Sequence, residues 1–343
     1  MQRNTRSLWL FWALALLVSI HFAFSYVTVL KRAFSYSDYI QGIAAYPYRT
    51  RRLMAWVFKG AQLLGRLIHA KPETPDDRGP IWWCQLGVVA ASVFAATAAT
   101  RRSIQTLLAR NTPWVWAAFL VPYMAYFHFL LIGEIRVQTP YDLPSMAFYA
   151  IGLYAILSRN RLLFYAIFIL ATLNRETALF LPLLFFLRQL KEDDSITHAL
   201  RRVRPLAVAE LVLQLAIWAG LRVWSNSLVP RGTFGEARFI PQNIHFLLSP
   251  LHWPTLASVF GFLWVPLLLF YKRIPNVFIQ RCLLLAPLWL LLMFKYGDLL
   301  EIRIHSEWIS YIAICMALLL DQALTWKQPS QDHQFLSEPI LDA

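Results

Sequence analysis

What most constrains this chain is the recurrence of long apolar runs separated by short basic stretches. Such runs fall at about 8–30, 81–100, 114–132, 144–158, 205–224, 253–270, 282–297 and 307–325. They approach the roughly 20 residues that an α-helix needs to cross a hydrocarbon core about 30 Å thick. Of the 343 residues 58% are hydrophobic and only 15% are charged, against about 25% charge in a soluble domain. In lipid, every backbone polar group must be satisfied within the fold, which leaves helices and closed barrels as the spanning structures. Runs of this length select helices. The expected fold is therefore all-α: a polytopic transmembrane bundle of about ten membrane helices over 1–326, followed by a polar cytoplasmic tail at 327–343. Trp9, Trp12, Trp82, Trp83, Trp114, Trp116, Trp253 and Trp308 lie where spans should meet the interfaces, as aromatic belts do. The run at 8–30 is too long for a signal-peptide core and lacks a small-residue cleavage site, so it is read as a span.

Two segments depart from the pattern. Residues 162–187 read LLFYAIFILATLNRETALFLPLLFFL, two apolar halves around Asn174, Arg175, Glu176 and Thr177. A single straight helix would carry Arg175 and Glu176 to the bilayer centre, an expensive place for charge. A hairpin of two short helices with both ends cytoplasmic lifts those charges toward the outer side. At 53–70, basic and polar residues share one helical stripe and Leu53, Trp56, Leu64, Leu67 and Ile68 the other. This is the pattern of an amphipathic helix lying in the interface, within the first outer loop. The hydrophilic stretch KPETPDDRGP closes that loop.

A net charge of +13 would raise nucleic acid as a partner in a soluble protein. Here the basic residues are clustered between apolar runs, where topology and lipid phosphates account for them, so no nucleic-acid partner is expected. The clusters place both termini in the cytoplasm, and this bias sharpens when the long first loop is left out of the count. Cys84, Cys282 and Cys315 sit inside apolar segments without metal-ligand spacing. His245, His252 and His305 make a poor metal set, and no phosphate-cradling glycine loop or nucleophile elbow is present. No metal or cofactor is expected.

With that topology, a set of charged residues converges on the outer side. The first outer loop supplies Asp38, Arg49 and Arg51, and the second supplies Glu134, Arg136 and Asp142. The hairpin tip supplies Arg175 and Glu176, and the last outer turn supplies Asp298, Glu301, Arg303 and His305. Arginine grips phosphate oxygens in a bidentate fork, and an ionised carboxylate can take a proton from an attacking hydroxyl. Plainer explanations stand beside this one. Asp38 is also explained as a solvated loop acid, Glu134 with Arg136 and Glu301 with Arg303 as interfacial ion pairs, and Arg175 with Glu176 as a structural pair. Arg49 and Arg51 would also serve as anchors for anionic headgroups.

The layout resembles the GT-C superfamily, the polytopic glycosyltransferases that use polyprenyl-phosphate sugars. Asp38 stands in the first outer loop soon after the first span, where those enzymes keep a catalytic acid, and 53–70 matches their amphipathic helix. NRETALFLPLLFF is similar to a stretch in many bacterial members, as are YPYRTRRLMAW, YDLPSMAFYAIGL and EIRIHSEWIS to shorter segments. The chain departs from the family in having no soluble domain after the bundle and no paired acids in the first loop. The resemblance implies an inverting transferase that moves a sugar from a polyprenyl-phosphate donor to a glycan or lipid-linked acceptor at the outer face. It implies Asp38, with Glu134 or Asp142, as catalytic acids. Arg49, Arg51, Arg136, Arg175, Glu176, Glu301, Arg303 and His305 would bind substrate. Three alternatives remain open: a polymerase or ligase using polyprenyl-diphosphate sugars, a transporter or flippase of a lipid-linked or anionic solute, and a scaffold without chemistry.

Overall fold

A computed structural model describes residues 2–45, 47–68, 79–108, 112–132, 136–191, 195–229 and 239–325. Glu134, most of the 71–80 loop and the 327–343 tail lie outside these residues. The chain is an all-α helical membrane protein that crosses the membrane several times. In chain order the elements are α1 (Gln2–Val29), β1 (Lys31–Arg32), α2 (Tyr36–Gln41), α3 (Arg52–Leu67), α4 (Pro80–Leu107), α5 (Leu120–Tyr126), β2 (Val137–Gln138) and α6 (Asp142–Leu157). Then come α7 (Arg161–Asn174), α8 (Phe180–Gln189), α9 (Ile196–Arg201), α10 (Pro205–Ser227), α11 (Phe239–Leu248), α12 (Trp253–Ala257), α13 (Trp264–Phe270), α14 (Val277–Cys282), α15 (Leu285–Tyr296) and α16 (Ile309–Thr325).

Among the described residues, six segments are long and apolar enough to cross a membrane: Ser7–Val29, Pro80–Leu107, Pro113–Leu131, Pro205–Ser227, Val277–Tyr296 and Ile302–Leu324. The expected count of about ten exceeds this because the other apolar runs fold into shorter pieces. Helix α6 has 16 residues, about 24 Å at 1.5 Å per residue. The run at 253–270 is not one helix at all. Phe260, Gly261 and Phe262 take φ of 58°, 58° and 64°, left-handed backbone that stops a right-handed helix. The Phe260 N–H thus freed donates to His128 Nε2 at 2.9 Å.

The 162–187 segment is a hairpin. Arg175 is extended, at φ −155° and ψ 149°, and breaks the helix between Asn174 and Glu176. Phe164, near the start of α7, lies 4.5 Å in ring centroid from Phe185, near the end of α8, so the two arms run side by side. Glu210 of α10 fastens their open end, accepting from Tyr165 Oη at 3.1 Å and Gln189 Nε2 at 3.2 Å.

Helix α6 is the axis around which the bundle is built. Thirteen of its residues are buried, including all of Asp142–Ala147, as befits a helix without a polar face. It packs against α4, α7 and α8. Gly152 permits a close approach of α8, since a Cβ there would lie 2.8 Å from Leu181 Cδ2. Lipid-facing surface shows instead on α10 and α15, where Leu206, Val212, Leu213, Val223, Leu288, Leu290 and Leu291 are exposed.

The chain ends of several helices meet at one pole of the bundle. Strands β1 and β2 pair in parallel over two residues and clip the end of α1 to the approach to α6. Thr139 N donates to Tyr26 Oη at 2.8 Å, and Asn174 Nδ2 donates to Tyr141 O at 2.8 Å and Ser145 Oγ at 2.9 Å. Ser225 Oγ, near the end of α10, donates to Thr50 O at 2.7 Å. Helix α3, foreseen at 53–70, covers this pole. It buries Met54, Ala55 and Phe58 and exposes Val57, Lys59, Leu63, Leu64, Arg66 and Leu67. An outward apolar face edged by cations suits a helix at a membrane interface.

Candidate functional site

The polar residues at this pole form two ion clusters, and the extended backbone at Arg175 explains why there are two. Successive side chains of an extended strand point to opposite sides, so adjacent Arg175 and Glu176 serve different partners.

Asp142 is the centre of the first cluster. It lies in the first turn of α6, where the partial positive charge of the helix N-terminus favours a carboxylate. Its Oδ2 accepts from Arg303 Nη1 at 3.0 Å and from Thr139 Oγ1 at 2.5 Å. Arg175 Nη1 lies 3.1 Å from Oδ1 and 3.6 Å from Glu307 Oε1. Those contacts are charge contacts rather than aligned hydrogen bonds, because Arg175 Nε and Nη1 and Arg303 Nε are buried without a hydrogen-bond partner. Arg303 Nη2 also donates to Glu301 Oε2 at 2.7 Å, and Thr177 Oγ1 to Glu307 Oε1 at 2.6 Å. Burial pushes the Glu301 carboxyl above its ordinary range, only partly countered by Arg303.

The second cluster surrounds Glu176. Arg51 Nε donates to its Oε2 at 3.1 Å and Arg222 Nη2 to its Oε1 at 2.6 Å, while Trp218 Nε1 donates to its backbone carbonyl at 3.1 Å. Burial raises this carboxyl, but Arg51 and Arg222 outweigh it and bring it down to about 2. Arg51 also sits 4.2 Å over the Tyr141 ring, a cation–π contact. Tyr48, stacked on Phe34 at 4.7 Å and lying 6.1 Å from Tyr141, completes an aromatic wall. Burial raises both the Tyr48 and the Tyr141 hydroxyl.

The residues foreseen from sequence therefore divide. Arg51, Asp142, Arg175, Glu176, Glu301 and Arg303 are brought together. Asp38 is exposed on α2; the buried side of that helix carries Tyr36 and Tyr39, and the Tyr39 hydroxyl donates to Arg51 O. No described side-chain contact joins Asp38 to Arg175 or Arg303. Arg49 is half-buried, and Arg136 is exposed, donating to Leu130 O at 3.2 Å. His305 is buried, edge-on to Phe260 at 6.4 Å. Asp298 is buried and accepts from Gln242 Nε2 at 2.9 Å. Two members were missed, Arg222 and Glu307. Each is a charge at or within an apolar run, which by itself is a signal of function or pairing.

With all groups ionised, Arg51, Arg175, Arg222 and Arg303 balance Asp142, Glu176, Glu301 and Glu307. An anionic ligand would be bound by exchanging a carboxylate for its oxygens, or by taking up the unused Nε–H groups. Among the described residues no cluster of three His, Cys, Asp or Glu could hold a metal ion. Compared with protein-family models, with curated proteins and with solved structures, the chain matches none.

Proposed function

We propose that this protein is a membrane glycosyltransferase that moves a sugar from a polyprenyl-phosphate donor to an acceptor hydroxyl at the outer face of a bacterial inner membrane. One observation carries the reading. Arg175 and Arg303 bracket Asp142 at one pole of the bundle, and both keep buried N–H groups without hydrogen-bond partners. Fixed donors in a water-poor site are suited to charge that develops on a departing phosphate. In the reaction, the acceptor oxygen attacks the anomeric carbon from the face opposite the phosphate. The carbon–oxygen bond to phosphate breaks, and the phosphate leaves with the electron pair. The acceptor proton passes to Asp38, the exposed acid of the set, which has no ion-pair partner among the described residues. Asp142, held by two arginines and Thr139, is a positioning residue in this scheme and a poor base. Glu176 fixes Arg51 and Arg222 in the same way.

The test is transfer of labelled sugar from polyprenyl-phosphate donors by the purified protein in lipid. Transfer is expected, with Asp38→Asn slowing it about 10²–10⁴-fold, the usual cost of losing a general base, at unchanged thermal stability. Wild-type turnover in Asp38→Asn would remove Asp38 from the mechanism. Absence of transfer from every donor, with donor-dependent stabilisation retained, would favour a transporter of lipid-linked sugars.

A further inference from the structure

The pole opposite the ion clusters holds an arginine of a different kind. Arg101, near the end of α4, is only 7% exposed. The described ion pairs use Arg51, Arg161, Arg175, Arg222 and Arg303 and leave it out. Its guanidinium carbon lies 4.4 Å over the Phe11 ring and 5.0 Å over the Trp12 ring of α1. Arg51 sits over a ring in the same way, but it also has Glu176. Arg101 Nε is buried without a hydrogen-bond partner, and the adjacent, exposed Arg102 adds a second positive charge. The end of α4 does not compensate either. Arg101 stops six residues short of Leu107, and the helix dipole acts within about the last turn.

A buried guanidinium whose charge no carboxylate among the described residues answers is costly, and its depth says what completes it. The run 81–100 of α4 has no charged residue and, at about 1.5 Å per residue, spans the roughly 30 Å of a hydrocarbon core. Arg101 is the next residue, at the level of lipid phosphates. Trp12 and Trp116, both half-buried and packed on Phe11, mark the same level, as interfacial aromatics do. The seam between the two helices faces lipid there. On α1, Leu8 and Leu16 are exposed about one turn either side of Trp12. On α4, Ala91 and Arg102 are exposed, with Ala95 and Ala98 half-buried between them on the same face. A guanidinium laid over aromatic rings keeps its N–H groups in its own plane, where they suit the oxygens of a phosphate. A zwitterionic headgroup brings an ammonium of its own, whereas a headgroup of net negative charge neutralises the pair of arginines. We propose that Arg101, with Arg102 beside it, binds the phosphate of an anionic phospholipid at the seam of α1 and α4, in the leaflet away from the ion clusters. The acyl chains then run past Trp12 and Leu16 on one side and Ala98 and Ala91 on the other. This site does not rest on the glycosyltransferase reading.

Thermal unfolding of the full chain in dodecyl maltoside micelles, with phosphatidylglycerol added in steps, tests the proposal. The midpoint should rise saturably at low mole fractions of phosphatidylglycerol, and not with phosphatidylcholine or inorganic phosphate. Arg101→Gln should lose that response. Arg101→Lys keeps the charge but not the planar fork, and should need at least about tenfold more lipid for half-saturation. Lys59→Gln combined with Arg66→Gln, on the exposed side of α3 at the other pole, should leave the response unchanged. An undiminished response in Arg101→Gln overturns the proposal. If that variant does not fold, an unshifted half-saturation in Arg101→Lys overturns it instead. An equal response to phosphatidylcholine also overturns it, as does one to inorganic phosphate, which would make this a site for a free anion. Loss of the response in the α3 variant overturns it by moving the lipid to the other pole. Sugar transfer is not part of the readout, so this result and the transferase result fail independently.

Discussion

Glu176 and Glu301 belong to neighbouring clusters, yet they respond to acid with opposite sign. Glu176 is brought from 4.5 to about 2 by Arg51 and Arg222 against its burial. A lowered carboxyl pKa contributes stability that is complete above the unfolded value and is lost as pH falls through the folded one. Glu301 is raised, so its protonated form is favoured in the fold, and it adds stability as pH falls below its raised value. Thermal unfolding followed from pH 7 to pH 3 should therefore show a loss below about 4.5 that is clearly reduced in Glu176→Gln. The same series in Glu301→Gln should leave the loss below 4.5 in place. An unchanged acid limb in Glu176→Gln would mean that its arginines do not hold it in solution. Six of the eleven site candidates that fall on described residues gather at one pole because alternating spans return each second loop to the same side. Arg222 and Glu307 escaped that logic. A charge inside a run is assigned to the run, and only packing reveals which loop it reaches.

Helices and breaks were legible to different degrees. The hairpin at 162–187 follows from the cost of burying Arg175 and Glu176, and α3 follows from its two-faced pattern. The break at Phe260–Phe262 carries no comparable signal: FGF inside an apolar run looks like more span, and the reversal rests on His128 more than a hundred residues away. Contacts between elements are equally hidden. Gly152 lies in YAIGLYAIL and could be taken for a tolerated glycine, but the Leu181 side chain of α8 packs directly against it. Gly152→Ala should be near neutral, because about 1 kcal/mol of helix propensity offsets a small displacement of the Leu181 methyl. Gly152→Leu should cost about 1–3 kcal/mol through overpacking and loosen the hairpin. Melting temperatures of the two variants check this, and equal stability would remove the close approach as a constraint.

At the scale of the whole molecule, α4 runs from the pole that holds the site to the opposite one. Ile81 packs in the same cluster as Tyr36 and Tyr141, and Arg101 lies over Phe11 near the start of the chain. Ser37 and Thr106 are exposed near opposite poles. In a background with Cys84→Ser, an impermeant thiol reagent added to intact cells should modify Ser37→Cys and spare Thr106→Cys until the membrane is opened. The reverse pattern would turn the site toward the cytoplasm and exclude an outward-facing donor reaction. The ion pairing also sets a timetable for biogenesis. Arg303, a partner of Asp142, follows it by 161 residues, roughly ten to thirty seconds of translation at about 5–20 residues per second. For most of that interval, once Arg175 has been made, the acid has a neutralising partner in Arg175 but not in Arg303, and Glu307 does not yet exist. The segment that begins the last helix is thus a latch, and a nascent chain halted before it holds an interior that charge has not yet closed.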